Sequence, residues 1–140
     1  MTIQANWQPS QGNTICHLSN GTAKWQADLD ASAGGDASYP SPHDLLDSAL
    51  AACTTLTLQL YAKRKGYAIA GIDVSVAHEE ANGTYTLKRE VKVSGELTPQ
   101  ILDDLLRVAN RCPVHKTLSG QIAIETSIGC EPADFCCRSK

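Results

Sequence analysis

Ser41-Pro42-His43-Asp44-Leu45-Leu46 opens, and Lys63-Arg64-Lys65-Gly66 closes, the stretch whose reading decides the fold. Ser41 can cap a helix, Pro42 suits its first turn, and Asp44 completes a capping box. At the far end three cations face the negative pole of the helix, and Gly66 supplies the left-handed residue that stops it. The roughly 24 residues between would run about 36 Å at 1.5 Å each. A compact chain of this length has a radius of gyration near 14 Å, so the helix spans the whole molecule. From Leu45 to Ala62 it is apolar on nearly every side, broken mainly by Asp47, Ser48, Gln59 and three threonines, and such a helix needs burial all round. One small sheet cannot supply that burial, so the sequence predicts a dimer.

Working outward, two Asn-Gly pairs mark β-hairpins, because both residues tolerate the positive φ of a type I′ turn. A two-residue turn at Asn20-Gly21 pairs Ser19 with Thr22, Leu18 with Ala23 and Cys16 with Trp25. A two-residue turn at Asn82-Gly83 sets Ile72, Val74, Val76 and His78 opposite Val93, Val91, Arg89 and Leu87 on one face. Arg89 is then the one arginine aimed at the core. A second helix should run from Thr98-Pro99 to Cys112, with Ile101, Leu105, Val108 and Cys112 on one stripe and Pro113 as the stop. A last strand near 121–126 offers Ile122 and Ile124 to the same sheet. The expected class is α+β: an N-terminal β-hairpin, a flexible loop from Ala31 to Tyr39, the long helix, and a C-terminal β-β-α-β unit.

The 140 residues, 42% hydrophobic and 19% charged, suit one domain over 1–140. A net charge of −3 argues against a nucleic-acid or anionic-membrane surface, which needs clustered cations. The N-terminus has no basic segment leading into an apolar run, and no stretch reaches the length of a membrane span, so a cytoplasmic location is expected. In a reducing compartment Cys16, Cys53, Cys112, Cys130, Cys136 and Cys137 point to redox chemistry or metal binding before structural disulfides.

Cys53 lies in line with Leu46, Leu50 and Leu60 on the long helix, and Cys112 closes the stripe of the second. Both could be small core hydrophobes, or together a redox pair. A thiol near pKa 8.5 is only a few per cent thiolate at neutral pH, and burial lowers that further, so a cation must compensate. Helix dipoles act within the terminal turns; mid-helix Cys53 gains little, and Cys112, at a helix C-terminus, is opposed. Cys53 is therefore the better attacking thiol, and Arg89, His43 and His115 are its candidate activators. His43 also suits the cap region, and His78 an ordinary strand end. Cys112-Pro113-Val114-His115 makes half a zinc site whose second half is missing, so no metal and no cofactor is expected. Phosphate loops, hydrolase elbows and His-Glu-x-x-His are absent.

The ordered set Ser41-Pro42-His43-Asp44-Leu45-Leu46, Ala51-Ala52-Cys53-Thr54, Tyr61-Ala62-Lys63-Arg64-Lys65-Gly66 and Cys112-Pro113-Val114-His115-Lys116-Thr117-Leu118 resembles the OsmC/Ohr family, nearest its OsmC-like branch. The match covers about 14–127, leaving 128–140 as a tail. The resemblance implies an intertwined homodimer with the two long helices at its centre, and thiol-dependent reduction of hydroperoxides. Cys53 would be the cysteine that attacks the peroxide, Cys112 the one that closes the disulfide, and a lipoyl-type dithiol the reductant. The hydroperoxide resistance branch pairs its reactive cysteine with an N-terminal arginine and with a glutamate ten residues before it. Here no arginine precedes Arg64, and His43 stands at the glutamate position, so either Arg89, His43 or another residue substitutes, or the protein is a poor peroxidase with a different role. The alternative on this scaffold is a non-enzymatic dimer that binds a small apolar ligand or senses redox state.

Overall fold

The computed structural model describes residues 1–11 and 13–129. Strands β1 (Gln4–Asn6), β2 (Cys16–Ser19) and β3 (Lys24–Ala27) form an antiparallel sheet in that order. Helix α1 (Pro42–Lys65) follows, then the hairpin β4 (Ile69–Ala81) and β5 (Thr84–Gly95), and then α2 (Pro99–Ala109) and α3 (Pro113–Ser119).

The punctuation of α1 works as its sequence requires. Ser41 Oγ accepts the Asp44 N–H, Asp44 returns the bond to the Ser41 N–H, and Gly66 ends the helix at φ 75°. The second hairpin has the expected register, Ile72 opposite Val93 through His78 opposite Leu87. Asn82 at φ 54° and Gly83 at φ 78° give it the two left-handed residues of a type I′ turn.

The first hairpin is offset by two residues from expectation, with Cys16 opposite Ala27 and Leu18 opposite Trp25. Asn20 Oδ1 accepts the N–H groups of both Thr22 and Ala23, at 3.0 and 2.8 Å. That side-chain turn lengthens the connection and displaces the two-residue type I′ geometry. The loop after β3 is organised rather than loose. Asp28 takes the Thr14 hydroxyl at 2.5 Å and the Asp36 N–H at 2.9 Å, and a 3-10 turn forms over Ala31–Ala33.

Two further expectations fail near the C-terminus. The second helix ends at Ala109, and a new helix begins at Pro113, so the final unit reads β-β-α-α. Residues 121–129 carry no strand, and Ile122 and Ile124 are exposed, Ile124 at 85%. Their alternation is that of a strand, but among the described residues nothing pairs with it.

The core lies where the C-terminal half of α1 meets α2 and the β4–β5 hairpin. Leu58, Leu105, Val108 and Ala109 form its centre, with Tyr61, Tyr67, Ile72, Val91 and Val93 around it. Asp104 fastens this corner by accepting the hydroxyls of Tyr67 at 2.6 Å and Tyr61 at 2.7 Å, and by an ion pair with Arg107. Those bonds hold the Asp104 carboxyl down to about 2 and push Tyr67 up to about 12. The buried stripe of α1 is Asp47, Leu50, Thr54, Leu58 and Ala62, whereas Leu46, Leu56 and Leu60 are exposed. Cys53 is half-buried at the margin of the two faces instead of lying in the core.

Leu58, fully buried, is the packing centre, so Leu58→Ala should cost about 2–5 kcal/mol in urea unfolding. A cost below about 1 kcal/mol would place the core elsewhere.

Candidate active site

Three elements bring the site together. On α1, the capped start sets the helical phase that turns Thr54 inward, fully buried, with Cys53 beside it. On β5, the two-residue alternation set by the Asn82-Gly83 turn sends Arg89, opposite Val76, to the face that packs on α1. Between α2 and α3, the chain turns at Asn110 and Arg111 and presents Cys112 with extended backbone, φ −64° and ψ 147°.

That last geometry reverses the expected electrostatics of Cys112. It caps the start of α3 instead of closing α2, because Pro113, unable to continue one helix, is the first residue of the next. Its sulfur accepts the His115 N–H at 3.3 Å. Burial pushes the thiol up, yet the His115 N–H, the Cys53 thiol and the Arg89 charge hold it below its ordinary value.

Arg89 is the hub. Nη1 donates to Thr54 Oγ1 at 3.0 Å and points at Cys112 Sγ at 4.0 Å. Nη2 donates to Asn110 Oδ1 and to His115 Nδ1, both at 3.0 Å. With Nδ1 accepting, the His115 proton belongs on Nε2. Among the described residues no carboxylate pairs with Arg89; the ion pairs present are His43–Glu80, His78–Asp47, Lys88–Glu79 and Arg107–Asp104. Cys53 Sγ lies 3.8 Å from Thr57 Oγ1. Alongside runs a cleft of about 220 Å³, apolar along Leu50, Leu87 and Leu118 and polar at Arg89, His115 and Tyr85.

Of the residues singled out in the sequence, Cys112, Arg89 and His115 thus converge, and Cys53 lies next to Thr54 on α1. His43 does not join them. It is exposed, 3.8 Å from Glu80, and stacks on Tyr85 with ring centroids 5.3 Å apart. His78, read as an ordinary strand-end residue, is instead paired with the buried Asp47, which also accepts the Tyr85 hydroxyl at 2.7 Å. Burial and the Asp47 bond push Tyr85 up to about 12. Among the described residues no His, Cys, Asp or Glu group has the arrangement to hold a metal ion, and His115 turns its Nδ1 to a cation. Cys130, Cys136 and Cys137 lie outside the described residues.

Thr54 and Asn110 escaped the sequence reading. Thr54 sits in the i, i+4 series with Leu50 and Leu58, the one polar member aligned with buried leucines, and that spacing was its signal. Asn110 had none, since its role depends on the break between α2 and α3.

Residues 34–127 match the family model described as OsmC-like protein, and the chain belongs to that family. Its fold is the mixed α+β fold of solved OsmC-like structures. An OsmC-like protein from Mycoplasma pneumoniae is 22% identical with a TM-score of 0.67, over 85% of this chain and 86% of that one. An organic hydroperoxide resistance protein from Elizabethkingia anophelis is 22% identical with a TM-score of 0.63, over 84% and 86%. The organic hydroperoxide resistance protein OhrB of Bacillus subtilis is 20% identical with a TM-score of 0.56, over 85% and 90%. No match to a curated protein reaches significance. Among the described residues no helix is long and apolar enough to cross a membrane.

The Asp47–His78 pair makes stability depend on pH in a defined direction. His78 is raised above 6.5 by the Asp47 hydrogen bond, so its contribution is complete below 6.5 and is lost as pH rises through the higher folded value. Burial pushes Asp47 up, but the His78 and Tyr85 bonds outweigh it and hold it below 3.8, so its contribution is present above 3.8 and is lost as pH falls through the lower folded value. The Tm difference between wild type and His78→Gln should therefore be larger at about pH 5.5 than at about pH 8.5. Equal differences at both would deny the pair its charge.

Proposed function

We propose that the protein is a thiol-dependent peroxidase that reduces organic hydroperoxides through Cys53 and Cys112. The observation that carries this reading is a free, buried cysteine, Cys112, 4.0 Å from an arginine that pairs with no carboxylate among the described residues, with free Cys53 next to Thr54, which the same arginine holds. A guanidinium in that position favours thiolate over thiol. Cys53, half-buried, is the sulfur a peroxide can reach, and its attack breaks the O–O bond to leave a sulfenic acid. Cys112, buried beside it, closes the disulfide, and a dithiol of the lipoyl type restores the pair. Arg89 is the cation of the site, in place of the N-terminal arginine the sequence lacks. The apolar flank at Leu50, Leu87 and Leu118 suits an alkyl hydroperoxide. The names of the Elizabethkingia and Bacillus proteins, both organic hydroperoxide resistance proteins, point the same way.

The working unit in this reading is a cytoplasmic, intertwined homodimer with the α1 helices at its centre. Leu46, Leu56 and Leu60 are exposed along α1, Leu60 at 62%, and burying a leucine is worth about 1.5–3 kcal/mol. The segment 121–129, with Ile122 and Ile124 in solvent, is what intertwining would cover.

Light scattering should give twice the 15.0 kDa chain mass; a stable monomer at micromolar concentration would refute the dimer. One equivalent of cumene hydroperoxide should produce an intramolecular Cys53–Cys112 disulfide in non-reducing peptide maps. Cys53→Ser should abolish peroxide consumption, while Cys112→Ser should leave a sulfenic acid at Cys53 that can be trapped. An inert Cys112→Ser beside a reactive Cys53→Ser would exchange the two roles.

A further inference from the structure

The two sulfurs meet their surroundings differently. Cys112 Sγ is fully buried, accepts the His115 N–H at 3.3 Å, and lies 3.7 Å from Thr54 Oγ1 and 4.0 Å from Arg89 Nη1. Cys53 Sγ is half-buried, with the Thr57 hydroxyl at 3.8 Å, and its thiol is among the groups that hold Cys112 below its ordinary value. Every hydrogen-bond acceptor that Arg89 reaches is neutral unless Cys112 is ionised. A guanidinium is never deprotonated in a protein, and a cation among neutral acceptors favours a negative charge on the nearest group able to carry one.

We propose that Cys112, besides closing the disulfide, is the resting thiolate of the pair and takes the Cys53 proton as Cys53 attacks the peroxide. The inference rests on the peroxidase reading above and deepens it. Cys53 Sγ bonds to the terminal oxygen of the hydroperoxide, the O–O bond breaks, and the Cys53 proton passes to Cys112 Sγ. The products are Cys53–SOH, Cys112–SH and an alkoxide, with the single negative charge moved from sulfur to oxygen. Cys112–SH then protonates the alkoxide to the alcohol and is a thiolate again. Its sulfur attacks Cys53 Sγ, the S–O bond breaks, and hydroxide leaves as the disulfide forms. One group thus serves as base, acid and nucleophile in turn.

Thr54 is a positioning residue for this cycle. Its hydroxyl donates to the Leu50 carbonyl at 2.7 Å and accepts from Arg89 Nη1 at 3.0 Å, so it holds the guanidinium in place beside the sulfur.

The decisive quantity is the rate at which the first equivalent of cumene hydroperoxide is consumed. In Cys112→Ser that rate should fall about tenfold or more at neutral pH, the worth of one pKa unit or of a modest general base. An unchanged rate at neutral pH would overturn the proposal and leave Cys112 as a resolving cysteine only.

Thiolate absorbance supplies a readout independent of peroxide, so failure of the peroxidase reading is seen separately as a wild type that consumes none. The low-pH thiolate should persist in Cys53→Ser and vanish in Cys112→Ser; the opposite pattern refutes the assignment. Thr54→Val, which keeps both sulfurs and the side-chain shape, should move that titration to higher pH. A titration unmoved by it would remove Thr54 from the device.

Discussion

A guanidinium packed against a buried helix face, with no carboxylate paired to it among the described residues, is the constraint on which the site depends. Arg89 cannot shed its charge, and the acceptors around it are a threonine hydroxyl, an asparagine amide oxygen and a histidine nitrogen. Each satisfies donors and none neutralises charge. The sulfur of Cys112, 4.0 Å away, is the nearest group on which a compensating charge can form. The α1 phase, the hairpin register and the break between α2 and α3 act together to bring these groups into one place.

Much of this was legible in the sequence where the signal is local. The ends of α1 are set by side chains that bond to backbone within three or four residues, so Ser41, Asp44 and Gly66 sufficed. The second hairpin is fixed by Asn82-Gly83 alone, and the position of Arg89 on the inner face follows from it. At the first hairpin the same dipeptide misled, because Asn20 spends its side chain on the turn's own N–H groups. Which of two local solutions wins is decided by fractions of a kcal/mol that a dipeptide does not reveal.

The environment of Cys112 was misjudged for a related reason. Pro113 ends one helix or begins another with equal ease, and only the turn at Asn110 and Arg111 decides. With that turn, Cys112 passes from the negative end of α2 to the cap of α3, and an electrostatic argument against its thiolate becomes one for it. Residues 121–129 show the limit of single-chain logic. Their alternating isoleucines describe a strand, and among the described residues that strand has no neighbour to pair with.

The division of labour proposed for the sulfurs rests on burial and charge pulling apart. Cys53 is half-buried and sits mid-helix, where the dipole gives little; Cys112 is buried, with the Arg89 charge beside it. A chemistry that needs a reachable sulfur and a second, ionised one beside it uses both properties, whereas a passive ligand pocket uses neither.

The most direct test of that account is turnover. With a dithiol reductant in excess, an enzyme should consume many equivalents of cumene hydroperoxide per chain, in proportion to the reductant supplied. Consumption that stops at about one equivalent per chain, with the disulfide left unreduced, would mark a sensor or binding protein and contradict the account.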